Sequence, residues 1–63
     1  MDKKTKGTIY TEETERVARK YLPAEQLKGR GLFQGFITVM TNDKWRKEIH
    51  EGFNARRSEW EEA

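Results

Sequence analysis

The sequence predicts an all-α fold, a small bundle of three helices plus one short helix, with the apolar segment 32–40 at its centre. Apolar residues recur at helical spacing in three stretches of the chain. Residues that commonly cap helices precede two of these stretches, and a proline and a pair of glycines separate them. With 63 residues, the chain is long enough for one small domain at most.

Residues 1–8 are predicted to be a flexible basic N-terminus, and residues 9–63 a single small helical domain. The first eight residues contain three lysines and no apolar residue after Met1, so nothing anchors them to a core. Ile9 and Tyr10 begin the ordered part, either as a short extended piece or as a lead into the first helix.

The first helix is predicted from Glu12 to about Tyr21 or Leu22. Thr11 can cap its N-terminus, and the acidic residues that follow lie where the helix dipole favours negative charge. Pro23 ends the helix because a residue before proline avoids the helical conformation. The less polar side chains lie together on one arc of this helix: Tyr10, Thr14, Val17, Ala18, Tyr21 and Leu22.

A short second helix is predicted from Pro23 to Leu27, and the glycines at 29 and 31 end it. The glycine-rich segment 29–35 does not match a phosphate-binding loop. Its third glycine falls one position too late for the dinucleotide pattern, and the Gly-Lys-Ser/Thr of the P-loop is absent. The segment is therefore predicted to be a connector.

Segment 32–40 is the most hydrophobic part of the chain, and as a helix it would place its six apolar residues on one continuous arc. A short buried strand stays open as an alternative, because Ile37, Thr38 and Val39 are β-branched. The most buried side chains of the fold are predicted to be Leu22, Leu27, Phe33, Phe36, Ile37, Met40, Ile49 and Phe53.

The third helix is predicted from Asp43 to about Glu61, with Thr41-Asn42-Asp43 as its cap. Gly52 in its middle lowers helix propensity, so the helix either bends there or packs closely against a neighbour. Its apolar face has a period of 3.6 residues and contains Trp45, Ile49, Gly52, Phe53, Arg56 and Trp60.

Cysteine is absent and His50 is the only histidine, so the sequence offers no disulfide and no thiolate zinc site. The only serine, Ser58, would point to a different side of the third helix from His50. These observations predict a protein that is not an enzyme and that has no cofactor and no metal site. No apolar run approaches a membrane span or follows the basic start as in a signal peptide, so a cytoplasmic protein without a membrane partner is predicted.

The chain is expected to need a partner or a second copy of itself. Ordering a residue costs about 1.5 kcal/mol, and apolar residues make up only 33% of the chain against 38% charged residues. Small domains without disulfides or metals are commonly completed by oligomerisation or by a partner protein.

The partner-binding site is predicted on the third helix, because tryptophan and arginine are enriched at protein interfaces. Basic residues flank one side of its apolar face and acidic residues the other, an arrangement that sets orientation in helix pairing. Trp60 lies where an anchor within the chain is hard to provide. The predicted contact residues are Trp45, Arg46, Ile49, Phe53, Arg56 and Trp60.

These features predict a small non-enzymatic regulatory or inhibitory protein that acts by protein–protein interaction. Short, cysteine-free and highly charged chains of this kind are typical of compact genomes such as those of phage or mobile elements. The contact would be with a partner protein or within a homo-oligomer.

The alternative is a small dimeric DNA-binding regulator. Segment 7–11, followed by a helix, a break and a second helix, resembles the layout of the ribbon-helix-helix repressors over residues 3–40. The resemblance implies a strand from each of two subunits in the major groove. Pro23 and the extra C-terminal helix depart from that family, and a net charge of +2 is small for a nucleic-acid binder. The residues that would contact nucleic acid are Lys6, Thr8, Tyr10, Arg16, Arg19, Lys28 and Arg30.

Overall fold

The computed structural model describes residues 4–61 of the chain and is all-α, which confirms the predicted fold class. Residues 4–61 contain no strand, so the strand alternative for segment 32–40 is wrong. No helix in this range is long and apolar enough to cross a membrane. The helical elements in chain order are α1 (Lys6–Tyr21), a 3₁₀ helix (Ala24–Leu27), α2 (Arg30–Thr41), α3 (Asp43–Ala55) and α4 (Arg57–Trp60).

Helix α1 begins at Lys6, six residues before the predicted start. Its cap is Thr5, whose hydroxyl accepts a hydrogen bond from the Thr8 amide at 3.2 Å. Thr11, the predicted cap, is an exposed residue within the helix. The longer helix buries Ile9 completely, and that burial stabilises the added turn.

The earlier start corrects two predictions. Residues 6–8 belong to α1 rather than to a flexible N-terminus, while residues 1–3 lie outside the described residues. Segment 7–11 is helical, so the strand that the ribbon-helix-helix resemblance implies is not formed.

The break after α1 follows the prediction. Leu22 is extended, with φ −107° and ψ 147°, and its amide donates to the Ala18 carbonyl at 2.8 Å. The short helix after Pro23 is a 3₁₀ helix, and Pro23 is its extended N-cap rather than its first residue.

The glycines of α2 are sites of close packing. A Cβ at Gly31 would lie 1.9 Å from the Gln26 carbonyl oxygen, and a Cβ at Gly35 would lie 2.5 Å from Leu27 Cδ2. Since both neighbours belong to the 3₁₀ helix, the absence of side chains lets that helix pack directly on α2. The glycine-rich segment is therefore the first part of a helix, and the prediction of a connector is wrong beyond Gly29.

The core lies where α1, the 3₁₀ helix, α2 and α3 meet. Its buried cluster is Val17, Ala18, Leu27, Val39 and Ile49.

The predicted burial is confirmed for Leu27 and Ile49, while Leu22, Phe36 and Phe53 are half-buried. It is wrong for three residues of α2, because Phe33 is 70% exposed, Ile37 38% and Met40 41%. The neighbouring helices cover the arc of α2 around Gly35 and Val39, and Phe33, Ile37 and Met40 lie at or beyond the edge of that cover.

The predicted third helix is divided into α3 and α4. Asn42 caps α3 as expected, and its side-chain oxygen accepts from the Trp45 amide at 3.1 Å. The helix ends at Ala55, because Arg56 leaves the helical conformation with φ −99° and ψ 22°. The short helix α4 follows directly after Arg56.

Gly52 marks the close approach of α3 to α1, and α3 continues past it to Ala55. A Cβ at this position would lie 2.0 Å from Glu13 Oε1 and 3.0 Å from an Arg16 guanidinium nitrogen. Glu13 is 5% exposed, so its carboxylate has little room to move away.

Gly52→Ala is therefore expected to destabilise the protein by roughly 1–3 kcal/mol, although alanine is the better helix former. The matched control is Gly7→Ala, because a Cβ there meets only Thr5 Oγ1 at 4.0 Å. That change should stabilise the protein by roughly 0.4–1 kcal/mol. Urea denaturation followed by circular dichroism measures both, and equal effects of the two substitutions would contradict the close approach.

Candidate functional site

The predicted contact face of the third helix lies mainly against α1. Ile49 is fully buried in the core. Trp45 stacks on Tyr21 with ring centroids 5.3 Å apart and an interplanar angle of 17°. Phe53 meets Tyr10 edge-on at 5.7 Å. These rings therefore connect α3 to α1, and only their outer parts remain accessible.

Trp60 is anchored within the chain, contrary to expectation. Its ring stacks on Phe53 at 4.5 Å, and its indole Nε1 donates to the Phe53 carbonyl at 3.0 Å. The Lys6 ammonium lies 5.1 Å from the centre of the indole ring, within cation–π range. Helix α4 thus folds back onto α3 and the start of α1, and a partner role for Trp60 stays a prediction.

Arg56 is held by three carboxylates. Its guanidinium donates to Glu12 at 2.7 Å, to Glu13 at 3.0 Å and to Glu59 at 2.7 Å. These bonds raise the pKa of Arg56, and they lower the pKa of Glu12 and Glu59. Burial alone would raise the pKa of Glu13, but the bonds from Arg16 and Arg56 outweigh it and lower this pKa.

Arg46, the remaining residue of the predicted face, points outward and pairs with Asp43 at 3.0 Å. This i,i+3 pair is exposed, with 52% and 91% of the two side chains accessible. An exposed pair of this kind contributes little to stability.

The residues of the nucleic-acid alternative belong to α1, the end of the 3₁₀ helix and the start of α2, and several of them already have partners within the chain. Tyr10 is half-buried, and its hydroxyl hydrogen-bonds His50 Nε2 at 3.1 Å. Arg16 and Arg19 are paired within α1, with Glu13 at 2.8 Å and Glu15 at 3.1 Å.

Lys6 is the first residue of α1, whereas Lys28 follows the 3₁₀ helix. Thr8 is an exposed residue of the first turns of α1, and Arg30 opens α2. Nucleic-acid binding stays a prediction, although the β-ribbon on which the resemblance depends is not formed.

The structure places an uncovered apolar surface on α2, at a position that the sequence assigned to the core. Three of the four large hydrophobic residues that the described chain exposes are on this helix. Phe33, Ile37 and Met40, here called the α2 outer face, are spaced i, i+4 and i+7 and therefore share one side of the helix. The sequence did contain a signal for this exposed surface. The apolar arc of segment 32–40 is too wide for a few short helices to cover.

The two threonine hydroxyls of α2 already have partners. The Thr38 hydroxyl donates to the Gln34 carbonyl at 3.0 Å, and the Thr41 hydroxyl donates to the Ile37 carbonyl at 2.8 Å. Arg30 is the only ionisable residue of α2. Another apolar surface can therefore cover this face without burying a charge or leaving a hydroxyl proton unbonded.

Other features of the described chain give weaker indications of a binding or catalytic site. A wide-open depression of about 560 Å³ lies between α4 and the start of α1, lined by Lys6, Arg57, Trp60 and Glu61. Within residues 4–61 no group of three or more histidine or acidic side chains is placed to hold a metal ion.

Comparison of the chain with family models, with curated proteins and with solved structures finds no match. The class of the protein therefore follows from its own fold and surface. Over residues 4–61 it is a small all-α protein with a charged exterior and an apolar helix face that is partly exposed on α2.

The ion pairs around Arg56 predict a loss of stability in acid. Glu12, Glu13 and Glu59 have lowered pKa values in the folded chain, so their contribution is present above the ordinary value of 4.5 and is lost as the pH falls below it. Arg56→Gln should destabilise the protein at pH 7, and its difference from the wild type should shrink toward pH 3. Urea denaturation at several pH values measures this.

The control for Arg56→Gln is Arg46→Gln, which removes only the exposed pair with Asp43. Its effect on the free energy of unfolding should be small at every pH. A destabilisation by Arg56→Gln that is equally large at pH 7 and at pH 3 would contradict the proposed role of the carboxylates.

Trp60→Ala is expected to lower the free energy of unfolding by roughly 1–2 kcal/mol, less than for a fully buried tryptophan because the ring is half-buried. Trp60→Phe keeps the ring that stacks on Phe53 and should recover most of the loss. Thermal and urea denaturation measure both. Unchanged stability in Trp60→Ala together with weakened association would instead favour the original prediction of a partner contact.

Proposed function

We propose that this is a small non-enzymatic regulatory or inhibitory protein that acts by protein–protein interaction, and that its contact surface is the α2 outer face. The observation that carries the proposal is the exposure of Phe33, 70% accessible on a regular helix beside Ile37 and Met40. Contiguous apolar surface on a chain with 38% charged residues is typical of a binding site.

The size of this surface makes it one part of a contact rather than a whole interface. The exposed fractions of the three residues add to about one and a half complete residues. Covering them contributes roughly 2–4 kcal/mol, which is less than the cost of association. The α2 outer face would therefore act as the apolar centre of a contact that extends to neighbouring residues.

The side chains with catalytic potential support binding rather than catalysis. The His50 imidazole is engaged by the Tyr10 hydroxyl at 3.1 Å, and Ser58 lies on α4, a separate helix. Catalysis by a nucleophile needs a base within hydrogen-bond reach of it, and the described contacts do not join these two residues.

The proposal is tested with a photo-reactive benzoyl-phenylalanine at position 33, compared with the same residue at Thr11. Both positions are exposed and helical, but Thr11 lies on α1 away from the apolar face. Irradiation of cells that make the protein should produce adducts to another polypeptide from position 33 and not from position 11.

The adducts should disappear when Ile37→Glu places a carboxylate on the same face. Equal adducts from positions 11 and 33, or none from position 33, would overturn the proposed contact surface. Circular dichroism of each variant checks that the helices remain.

A further inference from the structure

The unpaired cations of the described chain are concentrated around α2. Over residues 4–61, seven lysine and arginine side chains are held in ion pairs with carboxylates, and Lys6 lies over the Trp60 ring. The other four have neither an ion pair nor a side-chain hydrogen bond within this range. They fall at the start of α2 or just before it, and in the first two turns of α3: Lys28, Arg30, Lys44 and Lys47.

The local charge around α2 is higher than that of the whole chain. Residues 28–47 contain five basic residues and one acidic residue, whereas the rest of the chain contains eight basic and ten acidic residues. This segment therefore has a formal charge of +4 in a chain of net charge +2. Its one carboxylate, that of Asp43, already pairs with Arg46 at 3.0 Å.

The unpaired charge lies beyond both ends of the α2 outer face. Arg30 precedes Phe33 by three residues on the same helix, so these two residues share one side of α2. Lys44 follows Met40 by four residues, a separation that keeps their Cα atoms within about 14 Å. Between Arg30 and the end of α2 no residue is ionisable. An apolar centre with a polar rim is the usual composition of a protein interface.

The spacing of the exposed apolar residues indicates the shape of the occupant. Phe33, Ile37 and Met40 extend over seven residues, or about 10 Å along the helix. Spacings of four and three residues are those with which one helix packs against another along a shared seam. An apolar helix face of about two turns has the matching length.

We propose that the α2 outer face binds an acidic amphipathic helix of a partner protein. The apolar side of that helix lies over the α2 outer face, and its carboxylates pair with Lys28 and Arg30 at one end and with Lys44 and Lys47 at the other. This inference rests on the proposed function, since it names the chemistry of the partner at the same surface.

The charges supply attraction that the apolar residues alone lack. Covering the α2 outer face contributes less than association costs, so neighbouring residues have to contribute as well. The four unpaired cations can each gain a carboxylate without breaking an ion pair within the chain. Complementary charges also steer the partner to this surface and disfavour a basic one.

Other occupants match these observations less well. A second copy of the chain would bring the same cations together in either orientation of the two α2 helices, because both ends are basic. A nucleic-acid backbone matches the charges but not the aliphatic side chains of Ile37 and Met40. Membrane binding grows with buried apolar area, of which three side chains offer little, and the Asp43 side chain, 91% exposed, would be repelled by anionic lipid.

The test uses synthetic peptides of about 14 residues, stapled as helices about 21 Å long. Each has leucines on one face, and the residues beside that face are glutamate in one peptide and lysine in the other. Anisotropy of a fluorescent label on the peptide measures binding to the purified full chain. The glutamate peptide should bind about 10-fold more tightly than the lysine peptide, and the difference should shrink as salt screens the charges.

Two results with these peptides would overturn the proposal. One is a glutamate peptide that binds no more tightly than the lysine peptide. The other is equally tight binding by a third peptide in which serine replaces every leucine, because the surface would then bind any polyanion.

Substitutions in the protein separate the apolar contribution from the charges. Phe33→Ala leaves the charge unchanged and should weaken binding of the glutamate peptide about 10-fold. Arg30→Gln should weaken it roughly 3- to 10-fold. Loss of a positive charge at the N-terminus of α2 favours the helix, so this effect would not reflect unfolding.

The matched control for Arg30→Gln is Arg19→Gln, which removes another exposed arginine, one that pairs with Glu15 on α1. It should leave the affinity for the glutamate peptide unchanged. Equal losses of affinity in the two variants would overturn the assigned role of Arg30.

The cellular adducts from position 33 separate failure of this inference from failure of the proposed function. Mass spectrometry of the adduct should identify a partner segment with more acidic than basic residues. A predominantly basic segment, or a second copy of this chain, would overturn the acidic partner and leave the contact surface supported. Absence of adducts, with Phe33-dependent sedimentation on vesicles of phosphatidylcholine and phosphatidylserine, would overturn both.

Discussion

The carboxylate of Glu13 lies between two guanidinium groups and directly over a glycine, and the packing of α3 on α1 depends on this contact. Arg16 and Arg56 reach it at 2.8 and 3.0 Å, and Gly52 leaves the space that it occupies. A carboxylate that is 5% exposed is strongly destabilising without its charged partners, so the pairing constrains the position of Arg56. Because Arg56 is the residue at which α3 ends, the same ion pairs fix where α4 begins.

The packing of α3 on α1 also decides which side chains lie at the surface of the molecule. With α1 and α3 in close contact, their aromatic residues face one another and the predicted contact face of the third helix is largely used inside the chain. Helix α2 and the 3₁₀ helix then pack through Gly31 and Gly35, which bring them together on one side of α2 only. The other side keeps Phe33 in solvent. The uncovered face is thus a result of how tightly the remaining elements fit together.

Features that depend on neighbouring residues in sequence were predictable. Pro23 ends α1, Asn42 caps α3, and the period of segment 32–40 identifies a helix despite its β-branched residues. The start of α1 was not predictable from the cap alone, since Thr5 and Thr11 have the same capping chemistry. Burial of Ile9 against the folded chain decides between them. Likewise Gly52 indicated a bend or a close neighbour, and only the position of Glu13 distinguishes the two.

The sequence by itself determined the helical class, the break at Pro23, the cap at Asn42 and the arc of each helix that is apolar, because these follow from backbone preferences and spacing along one chain. It did not determine which arcs are covered. Segment 32–40 has apolar residues around much of its circumference, and Val39 is buried while Phe33 is exposed only because the other helices lie on one side. The predicted contact face of α3 is also apolar in sequence, yet it packs against α1. Burial depends on the number and position of neighbouring elements in space, and a periodic pattern in one helix contains no information about either.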